Sequence, residues 1–377
     1  MRSSRSRVTH AAAAVTVLAS LVASAAAGAQ FSEFEAAIAS FDAEVAANVA
    51  SDAAGCVSVA VFVGNEVVWA KGWGWADIDR RIAADQYTIG RTGSISKSMT
   101  AVVMMQLVER GIIRLDEPVR KYLPELAELA APPPGASPIT FRMLASHTAG
   151  LAREPQLTGA ASGSIYRWEE KVLQSIPTTD FLTLPHTEYA YSNIGYGILG
   201  LALSRAAGVP FMDLITTQLF NPLGMTDSTF ILDSPEIWAR MSVGYTRNRR
   251  TGSVSADQAT REHFGRGYKV PNGGVYATVG DLARFAAAML GESPVEILSA
   301  ESRAEMTTPQ PPAESYGLGF QVSEEDGIRT VGHGGSVAGY NASLVFNPDS
   351  MIGVAMFRTT GYNPPTAALL RALVMAR

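Results

Sequence analysis

Strand-like sequence occurs only at the two ends of this chain, and that distribution narrows the folds open to it. Cys56-Val57-Ser58-Val59-Ala60-Val61-Phe62-Val63 is a run of small and β-branched residues, and Gly64-Asn65 turns it back into Glu66-Val67-Val68-Trp69-Ala70 as a β-hairpin. Regular strands return only at 317–322, 328–332, 340–346 and 351–357, with Asn347-Pro348-Asp349-Ser350 turning between the last two. Helical spacing marks residues 94–110, 140–146, 193–207 and 210–219 between the two strand groups. It also marks an amphipathic opening helix from Phe31 to Val49 and a closing helix at 365–375. This order predicts an α/β fold of the α+β type: one antiparallel sheet assembled from both ends of the chain, flanked by helices, with an inserted helical lobe. With no repeat and no linker, residues 30–377 read as a single domain. Its sheet lobe takes about 30–93 and 273–377, and its helical lobe about 94–272.

Ahead of that domain, Arg2, Arg5 and Arg7 precede an uncharged Ala/Val/Leu run at 11–29, which ends Ala27-Gly28-Ala29 before Gln30. This predicts a signal peptide over 1–29 cut near Ala29/Gln30, so the mature chain is secreted or periplasmic with no stable membrane anchor. Thr16, Ser20 and Ser24 interrupt the run and argue against a retained span. A formal charge of −5, with no basic cluster beyond Arg247, Arg249 and Arg250, excludes an electrostatic nucleic-acid partner. The single cysteine, Cys56, excludes an intrachain disulfide and a multi-cysteine zinc site. The histidines lack the H-E-x-x-H spacing of a metal site, so neither a metal nor any other cofactor is expected.

Three short motifs carry chemistry. In Ser94-Ile95-Ser96-Lys97, at the predicted start of a helix, the i,i+3 spacing puts Lys97 one turn from the Ser94 hydroxyl, within reach of its proton. The helix N-terminus adds N–H groups and positive potential beside a nucleophile that generates an oxyanion. In Tyr191-Ser192-Asn193, the tyrosine can act as a base if a nearby ammonium lowers its pKa from about 10 toward 7, a cost of roughly 4 kcal/mol; Lys97 is the candidate cation. Asn193 is expected to accept from Lys97 and to donate its amide N–H to a substrate carbonyl. In His333-Gly334-Gly335-Ser336, the glycines permit close backbone approach, and the N–H groups of Ser336 and Ser94 can form a two-donor oxyanion hole. Singly, each motif has a plain structural explanation: a capping serine, a packed tyrosine, a histidine in a glycine-rich bend.

Taken together and in this order, S-x-x-K, Y-x-N and H-x-G, the chain resembles the serine β-lactamase and penicillin-binding-protein-like hydrolases, in the class C β-lactamase-related branch. The stretches Leu144-Ala145-Ser146-His147-Thr148-Ala149-Gly150-Leu151 and Asn221-Pro222-Leu223-Gly224-Met225 share that likeness, which covers about residues 35–370. The resemblance implies a β-lactamase/transpeptidase-like fold. It also implies Ser94 as acylated nucleophile, Lys97 with Tyr191 as the proton-transfer pair, and Asn193, His333, Gly335 and Ser336 as substrate-binding residues.

Where the β-lactamases carry Lys-Thr-Gly, this chain has His333-Gly334-Gly335, without the permanent cation and the hydroxyl that hold a substrate carboxylate. A protonated His333 would replace part of that pair. The expected function is therefore a secreted serine hydrolase acting on a small ester, amide or peptide substrate. The alternatives are a class C-like β-lactamase and a non-catalytic module that binds cell-wall peptide. No G-x-S-x-G supports an α/β-hydrolase.

Overall fold

The computed structural model describes residues 34–52, 54–129, 134–248 and 250–377. The predicted signal peptide at 1–29, its cleavage point and the predicted helix start at Phe31 lie outside the described residues. Helix α1 (34–52) leads into strands β1 (Cys56–Val63), β2 (Glu66–Asp77) and β3 (Ile82–Ala83). Strands β4 (Gln321–Glu325), β5 (Ile328–Val337), β6 (Tyr340–Asn347) and β7 (Ile352–Arg358) come from the other end of the chain. The seven form one antiparallel sheet in the order β3-β2-β1-β7-β6-β5-β4, closed by the pairing of Val57 with Arg358 and of Val63 with Ile352.

The unbroken apolar run of β1 follows from burial on both faces. Val57, Val59 and Val61 pack with Val354 and Met356 against α1 (Phe34, Ile38, Phe41, Val45) and against Leu369, Leu370 and Leu373 of the closing helix. The alternate residues Ala60 and Phe62 face the second and larger core. That core also takes in helix α2 (Ile95–Glu109), helix α3 (Asn193–Ala207) and helix α4 (Val279–Leu290), of which α4 packs on β1, all of them within the segment separating the two strand groups. The closing helix is α5 (Thr366–Ala376). Among the described residues no single helix is long and apolar enough to cross a membrane.

One predicted strand is corrected. Residues 317–320 form a turn, in which Gly317 N–H bonds to Phe320 O and Gly319 N–H to Ala145 O, and β4 begins only at Gln321. Leu318 and Phe320 are both fully buried, so what resembles strand alternation in the sequence is a loop pressed onto α2. At Gly319, with φ of +82°, a Cβ would fall 2.6 Å from the Ala101 methyl.

Candidate active site

The entry to α2 is held from both sides. Gly90–Arg91 pairs with Tyr276–Ala277, and Thr92 N–H bonds to Val275 O over 3.0 Å. Gly93 then takes φ of +52°, which turns the chain into the helix with Ser94 at the N-cap position. Ser94 makes no side-chain cap hydrogen bond, so its hydroxyl is not engaged in ending the helix. Strand β5 crosses directly above. A Cβ on Gly335 would lie 2.0 Å from Thr92 O and 3.2 Å from Ser94 N, and one on Gly93 would lie 2.8 Å from Ser336 N. Two glycines therefore allow the Ser94 and Ser336 backbones to face each other across the nucleophile.

Lys97 is completely buried beneath Ser94. Its Nζ stands 3.1 Å from Ser94 Oγ, and it donates to Asn193 Oδ1 over 2.8 Å and to Asn272 O over 3.2 Å. Two of these partners are carbonyl-type oxygens that can only accept. A neutral amine satisfies both with its two N–H bonds and leaves its lone pair toward the serine hydroxyl. Burial, and after it the charge of Arg153, push the Lys97 pKa well below the ordinary lysine value.

Tyr191 packs beside this pair, its ring centroid 4.8 Å from Lys97 Nζ. Here an expectation is corrected: the phenol is raised, not lowered, because burial outweighs the opposing hydrogen bonding with Ser94. The ammonium that was to depress it is itself driven toward neutrality by the same burial.

Helix α3 begins at Asn193, capped by Ser192, whose Oγ accepts from Gly195 N–H and donates to Ala152 O. Asn193 accepts from Lys97 as its position in the motif suggests. Its Nδ2, however, donates to Glu154 Oε1 over 2.6 Å and is not left for a substrate carbonyl. Glu154 is further held by the Tyr268 hydroxyl and by Lys269 Nζ at 3.0 Å. Burial alone would raise its carboxyl, but these hydrogen bonds and the lysine charge bring it below the usual value.

His333 differs most from expectation. It is 3% exposed. Its Nδ1 lies 2.6 Å from Gly334 O, an acceptor, so Nδ1 carries the proton and Nε2 accepts from the Tyr316 hydroxyl at 2.9 Å. Burial, with Lys97 nearby, lowers its pKa to about 3. The imidazole is a neutral, fully engaged group rather than a substitute for a lysine ammonium.

Around Ser94 these elements enclose a cleft of about 520 Å³, walled by Arg153 and Tyr191 on one side and Gly334, Gly335 and Ser336 on the other. Sequence reasoning missed Arg153, Glu154, Asn272 and Tyr316. His147 carries no local signal beyond its stretch, yet its ring lies tilted against that of Tyr191 with centroids 4.1 Å apart, and its Nδ1 accepts the Ser192 N–H.

The chain has recognisable relatives in sequence and in fold. Residues 41–376 match the family model described as Beta-lactamase. Penicillin-binding protein 4 of Amycolatopsis lactamdurans is 30% identical over 296 residues, 74% of each chain. The D-alanyl-D-alanine-carboxypeptidase/endopeptidase AmpH of Escherichia coli is 29% identical over 231 residues, 61% of this chain and 56% of that protein. For the first relatives matched, the aligned part spans about half of their own length. Among solved structures, the octameric penicillin-binding protein homologue from Pyrococcus abyssi superposes with a TM-score of 0.74 at 25% identity, covering 90% of this chain and 77% of that one. The D-amino acid amidase from Ochrobactrum anthropi SV3, at 21% identity and a TM-score of 0.75 over 91% of this chain and 98% of that one, shares the fold.

Proposed function

The chain belongs to the beta-lactamase family, and on that premise we propose that it is an exported serine hydrolase that cleaves an ester or a peptide-like amide through an acyl-enzyme on Ser94. The observation that carries the reading is the 3.1 Å approach of the buried Lys97 amine to Ser94 Oγ, with its other two hydrogen bonds already taken by pure acceptors. A desolvated amine of lowered pKa is a competent base at neutral pH.

In this mechanism Lys97 Nζ takes the Ser94 proton as Oγ attacks the carbonyl carbon. The N–H groups of Ser94 and Ser336 receive the resulting oxyanion. As the tetrahedral adduct collapses, the proton passes back through Lys97 and the Tyr191 hydroxyl to the departing oxygen or nitrogen. Water then repeats the sequence on the acyl-enzyme, and Ser94 regains its proton. The D-amino acid amidase and the D-alanyl-D-alanine peptidase among the similar proteins favour small amides and peptides of D-amino acids as the natural class, with activated esters as convenient substrates.

A fluorophosphonate probe tests the reading. It should form an adduct that peptide mapping places on Ser94, and Ser94→Ala should abolish both labelling and turnover. An adduct on another serine would sink the assignment. Export is tested by N-terminal sequencing of the secreted protein, which should begin at Gln30; a start at Met1 in a membrane fraction would contradict it.

A further inference from the structure

Among the described residues lining the Ser94 cleft, Arg153 is the one side chain with a permanent positive charge. It is exposed to the cleft, with its guanidinium carbon 4.9 Å from the Tyr191 ring centroid. The carboxylate next to it in sequence is committed elsewhere, since Glu154 is bound by Asn193, Tyr268 and Lys269, and no ion pair joins Arg153 to any carboxylate among the described residues. Its backbone is nevertheless fixed. Arg153 O accepts the N–H of Asn193 over 2.9 Å, and on the preceding residue Ala152 N–H bonds to Asp180 O and Ala152 O accepts from Ser192 Oγ. The guanidinium therefore starts from a backbone tied to the helix that carries Asn193.

The opposite wall offers nothing equivalent: His333 is neutral and satisfied, and Gly334 and Gly335 have no side chains. A planar guanidinium stacked on an aromatic face, with its N–H edges open to a cleft, is suited to bidentate pairing with a carboxylate.

We propose that Arg153 is a specificity-determining residue that binds a carboxylate on the substrate from the Tyr191 side of the cleft, so that the protein selects anionic esters and amides over neutral ones. This rests on the hydrolase reading for the identity of the ligand, and the test separates the two.

Two matched pairs distinguish where the carboxylate sits: para-butyryloxybenzoate against its methyl ester carries it on the leaving group, and mono-para-nitrophenyl glutarate against para-nitrophenyl valerate carries it on the acyl group. In one pair Arg153→Ala should reduce the charged-to-neutral ratio of kcat/KM by about 10- to 100-fold, mainly through KM, and Arg153→Lys should recover part of it. An unchanged ratio in both pairs, or equal losses for charged and neutral members, would overturn the proposal, the latter because Arg153 would then act only through Tyr191. Calorimetric binding of the charged member of the responding pair to Ser94→Ala protein removes turnover from the question. Arg153→Ala in that background should weaken binding by a similar factor, and equal affinity would overturn the proposal. If Arg153→Ala weakens this binding but the parent protein, with Ser94 intact, is never labelled by the fluorophosphonate, the carboxylate site stands and the hydrolase reading falls.

Discussion

The amide of Asn193 is held at both ends, with Oδ1 accepting from Lys97 over 2.8 Å and Nδ2 donating to Glu154 Oε1 over 2.6 Å. Glu154 thereby fixes the orientation of a side chain that fixes Lys97, and it does so from a loop outside the three motifs. Without it the amide is free to flip and present its NH₂ to the lysine amine, whose N–H needs an acceptor at that position.

Glu154→Ala should accordingly lower kcat for an activated ester by about 10- to 100-fold, the range for losing a hydrogen bond to a charged group. Glu154→Gln keeps an acceptor for Asn193 and should lose less. Steady-state kinetics on both variants decides this: equal losses would mean that the charge of Glu154, not its orientation of Asn193, is what matters.

Lys97→Ala and Tyr191→Phe should each lower kcat, by about two to four powers of ten for the lysine and by less for the tyrosine. The asymmetry follows from burial, which drives the lysine toward its basic neutral form and the phenol away from its anion. Because both serve one proton path, the double variant should lose far less than the product of the two. For the same reason the low-pH limb of kcat/KM should reflect Lys97 losing its proton below the ordinary lysine range, with activity rising as pH rises through it. A full pH profile with multiplicative losses would separate the two residues.

Adjacent glycines on β5 should respond oppositely to the same change. A methyl on Gly335 meets Thr92 O at 2.0 Å, while one on Gly334 meets nothing within 4 Å. Gly335→Ala should push β5 away from Ser94, with a loss of stability of roughly 1–3 kcal/mol and of most activity. Gly334→Ala should fall within about 0.5 kcal/mol of the parent. Thermal denaturation with ester turnover on the two variants is sufficient, and similar behaviour would contradict the close crossing.

Much of this organisation is readable from residues that act locally. Helix α3 runs from Asn193 to Ala207 as its spacing predicts because its own ends specify it: Ser192 caps the start and Gly208, with φ of +66°, stops it. The i,i+3 spacing of Ser94 and Lys97 likewise needs only helix geometry. What escapes the sequence depends on a partner supplied by the fold. Asn193 has two amide ends, and nothing in Tyr-Ser-Asn indicates that Glu154 takes one of them. His333 appears solvated until β5 is placed and Tyr316 is seen to occupy its Nε2. Residues 317–320 alternate like a strand, but Leu318 and Phe320 are buried in the core, Phe320 against Phe285 and Phe346, a tertiary packing that local pattern cannot separate from sheet pairing.

Specificity turns on the same histidine. With its pKa lowered to about 3 by burial, His333 stays neutral from about pH 5.5 to 7.5, so acidification should not improve KM for a cephalosporin, as a solvated imidazole of ordinary pKa would. The sign for stability is the reverse of a salt-bridged histidine: the fold favours the neutral ring, so this contribution is complete above about pH 6.5 and is lost as the pH falls toward 3. His333→Gln should therefore flatten part of the acid-induced fall in Tm. Without a cation or hydroxyl at positions 333 and 334, the protein should turn over small activated esters with a much higher kcat/KM than a cephalosporin. Gly334→Thr places a hydroxyl in open space and should raise the cephalosporin-to-ester ratio with little change in Tm. Adding His333→Lys completes Lys-Thr-Gly and should raise the ratio further. That lysine, however, occupies a buried site with no carboxylate to pair with it among its hydrogen-bond partners, so the double variant should melt at a lower temperature than Gly334→Thr alone. If the parent already prefers the cephalosporin, or if neither substitution moves the ratio, then carboxylate recognition does not reside in this motif.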